Sequence, residues 1–241
     1  MKKRNLIVST LVAAAALLAA CTSADSNEPN VTKRLPIDKA YTELVVSHAF
    51  RVEVCDTVSC AVVTIPESQQ PYLRFETSGG TLSIGYTRNW LAANTTGGHV
   101  LLPPNAALNS IELSGASSFS GDIEANDVEV ELSGASVFVG AVKCSEIDMD
   151  LSGASTATVS GLCSDNMDVE LSGASELSAA EFNASRVDAT LSGASTANIT
   201  LCSSLDADLS GASQLVYHLA SPDCKPEVDT EATGGSTVTQ R

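Results

Sequence analysis

Met167-Asp-Val-Glu-Leu-Ser-Gly-Ala-Ser175 joins the two signals that decide the fold. Its first five residues alternate apolar and acidic, the period of a strand with one face turned in and the other out. Its last five, Leu-Ser-Gly-Ala-Ser, occur six times, beginning at Leu113, Leu132, Leu151, Leu171, Leu191 and Leu209, at intervals of 19, 19, 20, 20 and 18 residues. Self-similarity at that period marks stacked repeats, each burying its apolar side on its neighbours. A degenerate copy, Ala232-Thr-Gly-Gly-Ser236, reads as a closing repeat.

The same alternation precedes the other copies: Val128-Glu-Val-Glu-Leu132, Ile147-Asp-Met-Asp-Leu151, Val187-Asp-Ala-Thr-Leu191 and Leu205-Asp-Ala-Asp-Leu209. Further apolar positions recur six residues past each leucine, at Phe119, Phe138, Ala157, Leu177, Ala197 and Leu215. A third set recurs ten or eleven past it, at Ile123, Val142, Leu162, Phe182, Leu201 and Leu219. Three inward ladders per repeat predict an all-β, parallel β-helix (solenoid) with three sides and rungs of 18 to 20 residues. Gly115, Gly134, Gly153, Gly173, Gly193 and Gly211 are expected at a corner, where a tight bend favours glycine. The serines beside them are read as corner formers. A nucleophile series or a glycan-contacting face is the alternative, but no histidine recurs beside them to act as base.

Outward from the repeats, residues 31–110 show no such period. Strand-like stretches run over 43–54, 61–65, 73–86 and 100–102, with turns at Gly79-Gly80 and Pro103-Pro104. Residues 36–110 are therefore expected to form an N-terminal β cap and residues 111–241 the solenoid, with 36–241 one continuous domain. A stack of strands needs such a cap, because a bare end invites edge pairing. Trp90, in the loop from Thr87 to His99, is expected to fold over the cap edge; stacking on a sugar is the alternative.

The chain begins with Lys2, Lys3 and Arg4 and an apolar run from Leu6 to Ala20, too short to span a bilayer comfortably. Residues 1–20 are read as a signal peptide. Leu18-Ala19-Ala20-Cys21 resembles a lipobox, which makes Cys21 the lipidated N-terminus of the mature protein and 21–35 a tether to the membrane. Thr22 fits outer-membrane sorting, with the periplasmic or surface side not legible.

Thirteen basic residues stand against 29 acidic ones; without Lys2, Lys3 and Arg4 the count is 10 against 29, a balance of −19. Nucleic acid and anionic lipid are poor partners for such a chain. The acids concentrate in two expected columns on the outward side: Glu129, Asp148, Asp168, Asp188, Asp206 and Asp229, and Glu112, Glu131, Asp150, Glu170, Asp208 and Glu231, with Thr190 interrupting the second. Like charges at ~5 Å in water repel by roughly 0.8 kcal/mol per pair. Glu129, Glu131, Asp148, Asp150, Asp168, Glu170, Asp188, Asp206 and Asp208 are the candidate ligand face, with weak calcium binding as one expected use of oxygen ligands repeated at the rung spacing. A solvated, edge-blunting face is the plainer alternative. Paired carboxylates also invite a glycosidase reading. A catalytic pair should be single and set in a cleft, whereas these repeat on a flat face. His48, His99 and His218 are scattered and complete no triad at a recognisable spacing.

Setting Cys21 aside, six cysteines remain for a compartment where disulfides persist. Cys55 and Cys60 suit opposite arms of a short hairpin. Cys144, Cys163, Cys202 and Cys224 fall seven or eight residues before the next pentapeptide, on one edge of the coil. Adjacent rungs, ~4.8 Å apart, are within disulfide reach and skipped rungs are not. That spacing gives Cys144–Cys163 and Cys202–Cys224, with Asn183 on the rung between; no C-x-x-C spacing supports a metal site.

Tyr41-Thr-Glu-Leu-Val-Val-Ser-His-Ala-Phe-Arg-Val-Glu-Val54, Gly80-Thr-Leu-Ser-Ile84, Val100-Leu-Leu-Pro-Pro-Asn105, Leu108-Asn-Ser-Ile-Glu-Leu-Ser-Gly-Ala-Ser117 and the repeats together resemble the putative auto-transporter adhesin, head GIN domain family of bacterial envelope proteins. The resemblance implies a right-handed β-helix and an adhesin role, and it carries no catalytic residues; the paired cysteines are not part of it. The expected function is that of a non-catalytic adhesin or binding module of the cell envelope, without a cofactor, whose partner is a glycan or a cell-surface protein. A structural envelope spacer and a glycan-acting β-helix enzyme are the alternatives.

Overall fold

The structure is a computed structural model and describes residues 28–37, 41–87 and 97–241. Its first complete repeat shows how the sequence makes a rung. Three short strands, β8 (Ser110–Leu113), β9 (Ser118–Ser120) and β10 (Ile123–Glu124), turn through two corners. The next pass stacks on all three in parallel: β11 (Asp127–Leu132) on β8, and β12 (Val137–Leu151) on β9 and β10. The coil continues through β13 (Thr156–Leu171), β14 (Glu176–Leu191), β15 (Thr196–Leu209), β16 (Gln214–Leu219), β17 (Glu227–Ala232) and β18 (Thr237–Gln240). Every neighbouring pair from β8 onward is parallel, so the chain is a β-solenoid.

Burial follows the alternation. Val130, Met149, Val169, Ala189 and Ala207 lie over one another inside, as do Phe119, Phe138, Ala157, Leu177, Ala197 and Leu215. The rings of Phe119 and Phe138 stack with centroids 5.6 Å apart. The closing repeat is also in place, with Leu209 over Ala232 and Gly234 at the corner.

One of the three expected ladders is offset. Leu162 is 48% exposed, and Gly161 stands in register between Val142 and Phe182 in its stead. Alternation through Ala157, Val159, Gly161 and Cys163 is unbroken and in register with β12, which turns Leu162 outward; the extra residue lies in β14, where the register shifts opposite Thr158 and Ser160. The same slip sets Ala184, not Asn183, beside Cys163.

The corner is built by the pentapeptide itself. Ser117, Ser136, Ser155, Ser175, Ser195 and Ser213 are buried, and each hydroxyl donates to the carbonyl oxygen three residues earlier at 2.7–2.9 Å. They hold the bend and present no hydroxyl to solvent. The glycines adopt left-handed backbone and stack so closely that a Cβ on Gly173 would meet the Gly153 oxygen at 2.5 Å.

The N-terminal region contributes rungs as well as a cap. β2 (Glu43–Val46) and β3 (Arg51–Val54) lie parallel on β8 and β9, with Val46 over Leu113. Val46-Ser-His-Ala-Phe50 therefore occupies the place of the pentapeptide, with His48 at φ 64° where the other rungs have glycine. On the far side of β2 and β3 lie β6 (Thr81–Tyr86) and β7 (His99–Leu102), again parallel. The second pass of the chain thus stacks outside the first. Antiparallel strands close this end: β5 (Leu73–Ser78) on β6, β4 (Ala61–Pro66) on β7, and β1 (Asn30–Leu35) on β4. Cys21, Trp90 and residues 1–27 lie outside the described residues.

Candidate functional site: an acidic face

Both acidic columns exist as read. Glu129, Asp148, Asp168, Asp188, Asp206 and Asp229 are consecutive register partners, and so are Glu112, Glu131, Asp150, Glu170, Thr190, Asp208 and Glu231. The intervening residues point inward, so strand pleating alone places these carboxylates on one outer face. All nine residues of the candidate ligand face are exposed.

Among the described residues, no lysine or arginine pairs with either column; the ion pairs fall elsewhere, as in Arg186–Asp165 at 2.5 Å beside the face. The polar contacts to the first column are neutral: Ser110 donates to Glu129 at 3.1 Å, and the Asn166 amide donates to Asp188 at 3.1 Å. Partial burial, then the neighbouring carboxylates, push Glu131, Asp148, Asp150 and Asp168 above their ordinary values. The columns are thus held together by the backbone against their own repulsion.

A shallow groove flanks each column. One, of about 380 Å³, runs between Glu131, Asp150 and Glu170 and the corner serines Ser133, Ser152, Ser172 and Ser192. The other, of about 360 Å³, is lined by Asp127, Glu129, Glu146, Asp148, Asp168, Asn109 and Asn166. The serines belong to the array read from the sequence as corner formers; the asparagines were not singled out, and their signal is a place just ahead of the alternating stretch. Among the described residues, no three His, Cys, Asp or Glu side chains converge to hold a metal ion.

The three histidines have local partners rather than places on this face. His48 Nδ1 lies 2.7 Å from Ser47 Oγ, His99 Nε2 lies 3.2 Å from Glu53, and His218 Nε2 lies 2.9 Å from Asn198.

The cysteines divide. Cys202 and Cys224 are bonded, with Cα atoms 4.9 Å apart. Cys202 follows Leu201, which continues the Cys163–Ala184 column, so the bond ties β15 to the loop after β16 instead of joining two residues of one column. The other four are thiols in this structure. The hairpin expected for Cys55 and Cys60 does not form: β7 lies between β3 and β4, which separates the two arms. The Cys55 thiol sits 3.0 Å from the Thr57 hydroxyl, which draws its pKa down. Cys144 and Cys163 are register partners as expected, but the Cys163 thiol turns to the carbonyls of Ser145 and Asn166, each at 3.0 Å.

Residues 40–219 match the family model described as "Putative auto-transporter adhesin, head GIN domain". The chain belongs to this family. Solved structures share the fold of this head GIN domain protein at low identity. A "putative adhesin" from Bacteroides fragilis NCTC 9343 is 14% identical, covers 88% of this chain and 97% of its own, and has a TM-score of 0.75. A "putative lipid binding protein" from Parabacteroides distasonis ATCC 8503 is 19% identical over 89% of this chain and 98% of its own, with a TM-score of 0.66. A "putative adhesin" from Parabacteroides merdae ATCC 43184 is 18% identical over 89% and 97%, with a TM-score of 0.59. No curated protein sequence matches. The family is one of putative adhesins, which suggests a protein of the cell envelope or surface. No helix among the described residues is long and apolar enough to cross a membrane.

Proposed function

We propose that this head GIN domain protein is a non-catalytic binding module of the cell envelope, held to the outer membrane by lipid on Cys21, whose acidic solenoid face meets the ligand. The observation that supports this reading is the pair of carboxylate columns kept in register over successive rungs with no lysine or arginine paired to them among the described residues. An uncompensated field of one sign draws in partners of the other sign and loses strength with salt. The ligand is therefore a cationic or cation-bridged surface on a glycan or a cell-surface protein, with calcium as one bridging ion. The grooves give such a ligand two parallel tracks, each combining carboxylates with neutral hydrogen-bonding groups.

The test uses the soluble fragment from Asn30 onward on an array of charged and neutral glycans and basic proteins, with calcium and with chelator. Retention should follow ligand positive charge or added calcium, decline with salt, and drop at least tenfold in the Asp148→Asn/Asp168→Asn/Asp188→Asn variant. Equal retention of that variant and the native fragment would remove the face from the function and favour the spacer reading.

A further inference from the structure

Cys144 and Cys163 are opposed across adjacent parallel rungs, both facing inward, at 7% and 1% exposure. Parallel neighbours lie ~4.8 Å apart, within the ~4.4–6.8 Å Cα separation that a disulfide spans. The rest of the column holds no sulfur: the next rungs place Ala184 and Leu201 there. Two rungs separate Cys163 from the level of Leu201, so exchange with the neighbouring Cys202 would need ~9.6 Å to be bridged. Each of these thiols therefore has one partner in reach.

The pair also sits beside a break in the ladder. The register breaks directly after both cysteines, between Cys144 and Glu146 and between Cys163 and Asn166. Elsewhere between β12 and β13 the register is unbroken; at this corner the one hydrogen of the Cys163 thiol is shared between the carbonyls of Ser145 and Asn166. The Cys202–Cys224 bond belongs to a chain that matures where thiols are oxidised, and the same surroundings act on every accessible pair.

We infer that Cys144 and Cys163 are a second oxidation site, closing to a buried cross-rung disulfide that pins this corner of two consecutive rungs. The oxidant is a disulfide-bearing oxidoreductase of the envelope. One cysteine thiolate attacks a sulfur of that disulfide, forming a mixed disulfide and releasing one oxidant thiolate. The second cysteine, deprotonated, then attacks its partner's sulfur and expels the other oxidant sulfur. Two protons leave the pair, and the two electrons reduce the oxidant to its dithiol. Because the pair is enclosed once β14 covers β13, this exchange belongs to the folding chain or to an opened corner. The product loses the shared S–H donation of Cys163 and gains one covalent link between β12 and β13.

The test is peptide mapping of the full chain exported to an oxidising compartment, quenched in acid and alkylated after unfolding without reductant. The expected result is a cross-linked peptide containing Cys144 and Cys163 alongside the Cys202–Cys224 peptide. In Cys202→Ala/Cys224→Ala protein, which still carries the proposed bond, reductant added during unfolding should release two further alkylatable thiols and lower the Tm by several degrees. Cys144 and Cys163 both alkylated singly, in a sample whose Cys202–Cys224 bond is intact, would overturn the inference.

Discussion

Gly173 and Gly79 share a left-handed backbone, at φ +76° and +62°, but not a neighbourhood. A Cβ on Gly173 would press to 2.5 Å of the Gly153 oxygen, whereas one on Gly79 meets nothing within 4 Å. Left-handed backbone alone costs an L-residue about 1–2 kcal/mol. Gly79→Ala should therefore lose about that much stability in urea unfolding, and Gly173→Ala should lose clearly more, because rungs must separate to admit the methyl. Equal losses would mean that the glycine column serves the turn and not the stacking. At this scale the sequence was legible where one residue has one job in every rung. It was less so where a substitute does the same job: His48 in Val46-Ser-His-Ala-Phe50 takes the glycine's backbone conformation, with its ring nitrogen near the Ser47 hydroxyl, and no glycine betrays the corner.

Strands set the electrostatics, because pleat and register decide which carboxylates meet. Asp148 and Asp168 are stacked neighbours, and partial burial followed by adjacent acids raises the pKa of each. A carboxyl whose folded pKa is raised favours the fold in its protonated form. That contribution is complete below the unfolded pKa and is lost as pH rises through the folded one. The double variant Asp148→Asn/Asp168→Asn should accordingly melt several degrees above the native protein at neutral pH. The difference should close as pH falls through the raised folded values and below the ordinary aspartate range. A difference that does not change with pH would assign the gain to something other than charge. The acidic face could be read from sequence because strict alternation fixes the side of every residue from Val128 to Leu132 and in its later copies. The other side could not be read so far: an extra residue in β14 moves its inward position from ten to eleven past the leucine, so Phe182 meets Gly161 while Leu162, at the same count in β13, points outward. Bulges carry no fixed sequence mark, and the same local slip governs which sulfurs meet.

As a whole the molecule is a stack in which each rung touches only the one before and the one after, so stability should scale with rung number and a rung should be removable as a unit. Deleting residues 172–191 brings Leu171 directly before Ser192 and restores an unbroken Leu-Ser-Gly-Ala-Ser. The shortened chain should fold with the same circular-dichroism shape and a lower Tm, whereas deleting half that length should abolish the cooperative transition. Failure of the full-period deletion to fold would show that the rungs are not interchangeable. The six-fold echo made the C-terminal stack legible, but the N-terminal layers have no period, and their pairing partners lie far apart in sequence. That distance has an outcome for growth of the polypeptide. The strip from Glu43 to Val54 ends up between two later strips, so one of its hydrogen-bonding borders waits for residues up to Leu102 and the other for residues up to Ser120. A chain that emerges amino end first must keep part of that strip unpaired for roughly the length of three rungs. The beginning of the polypeptide is therefore where a holding chaperone has most to protect.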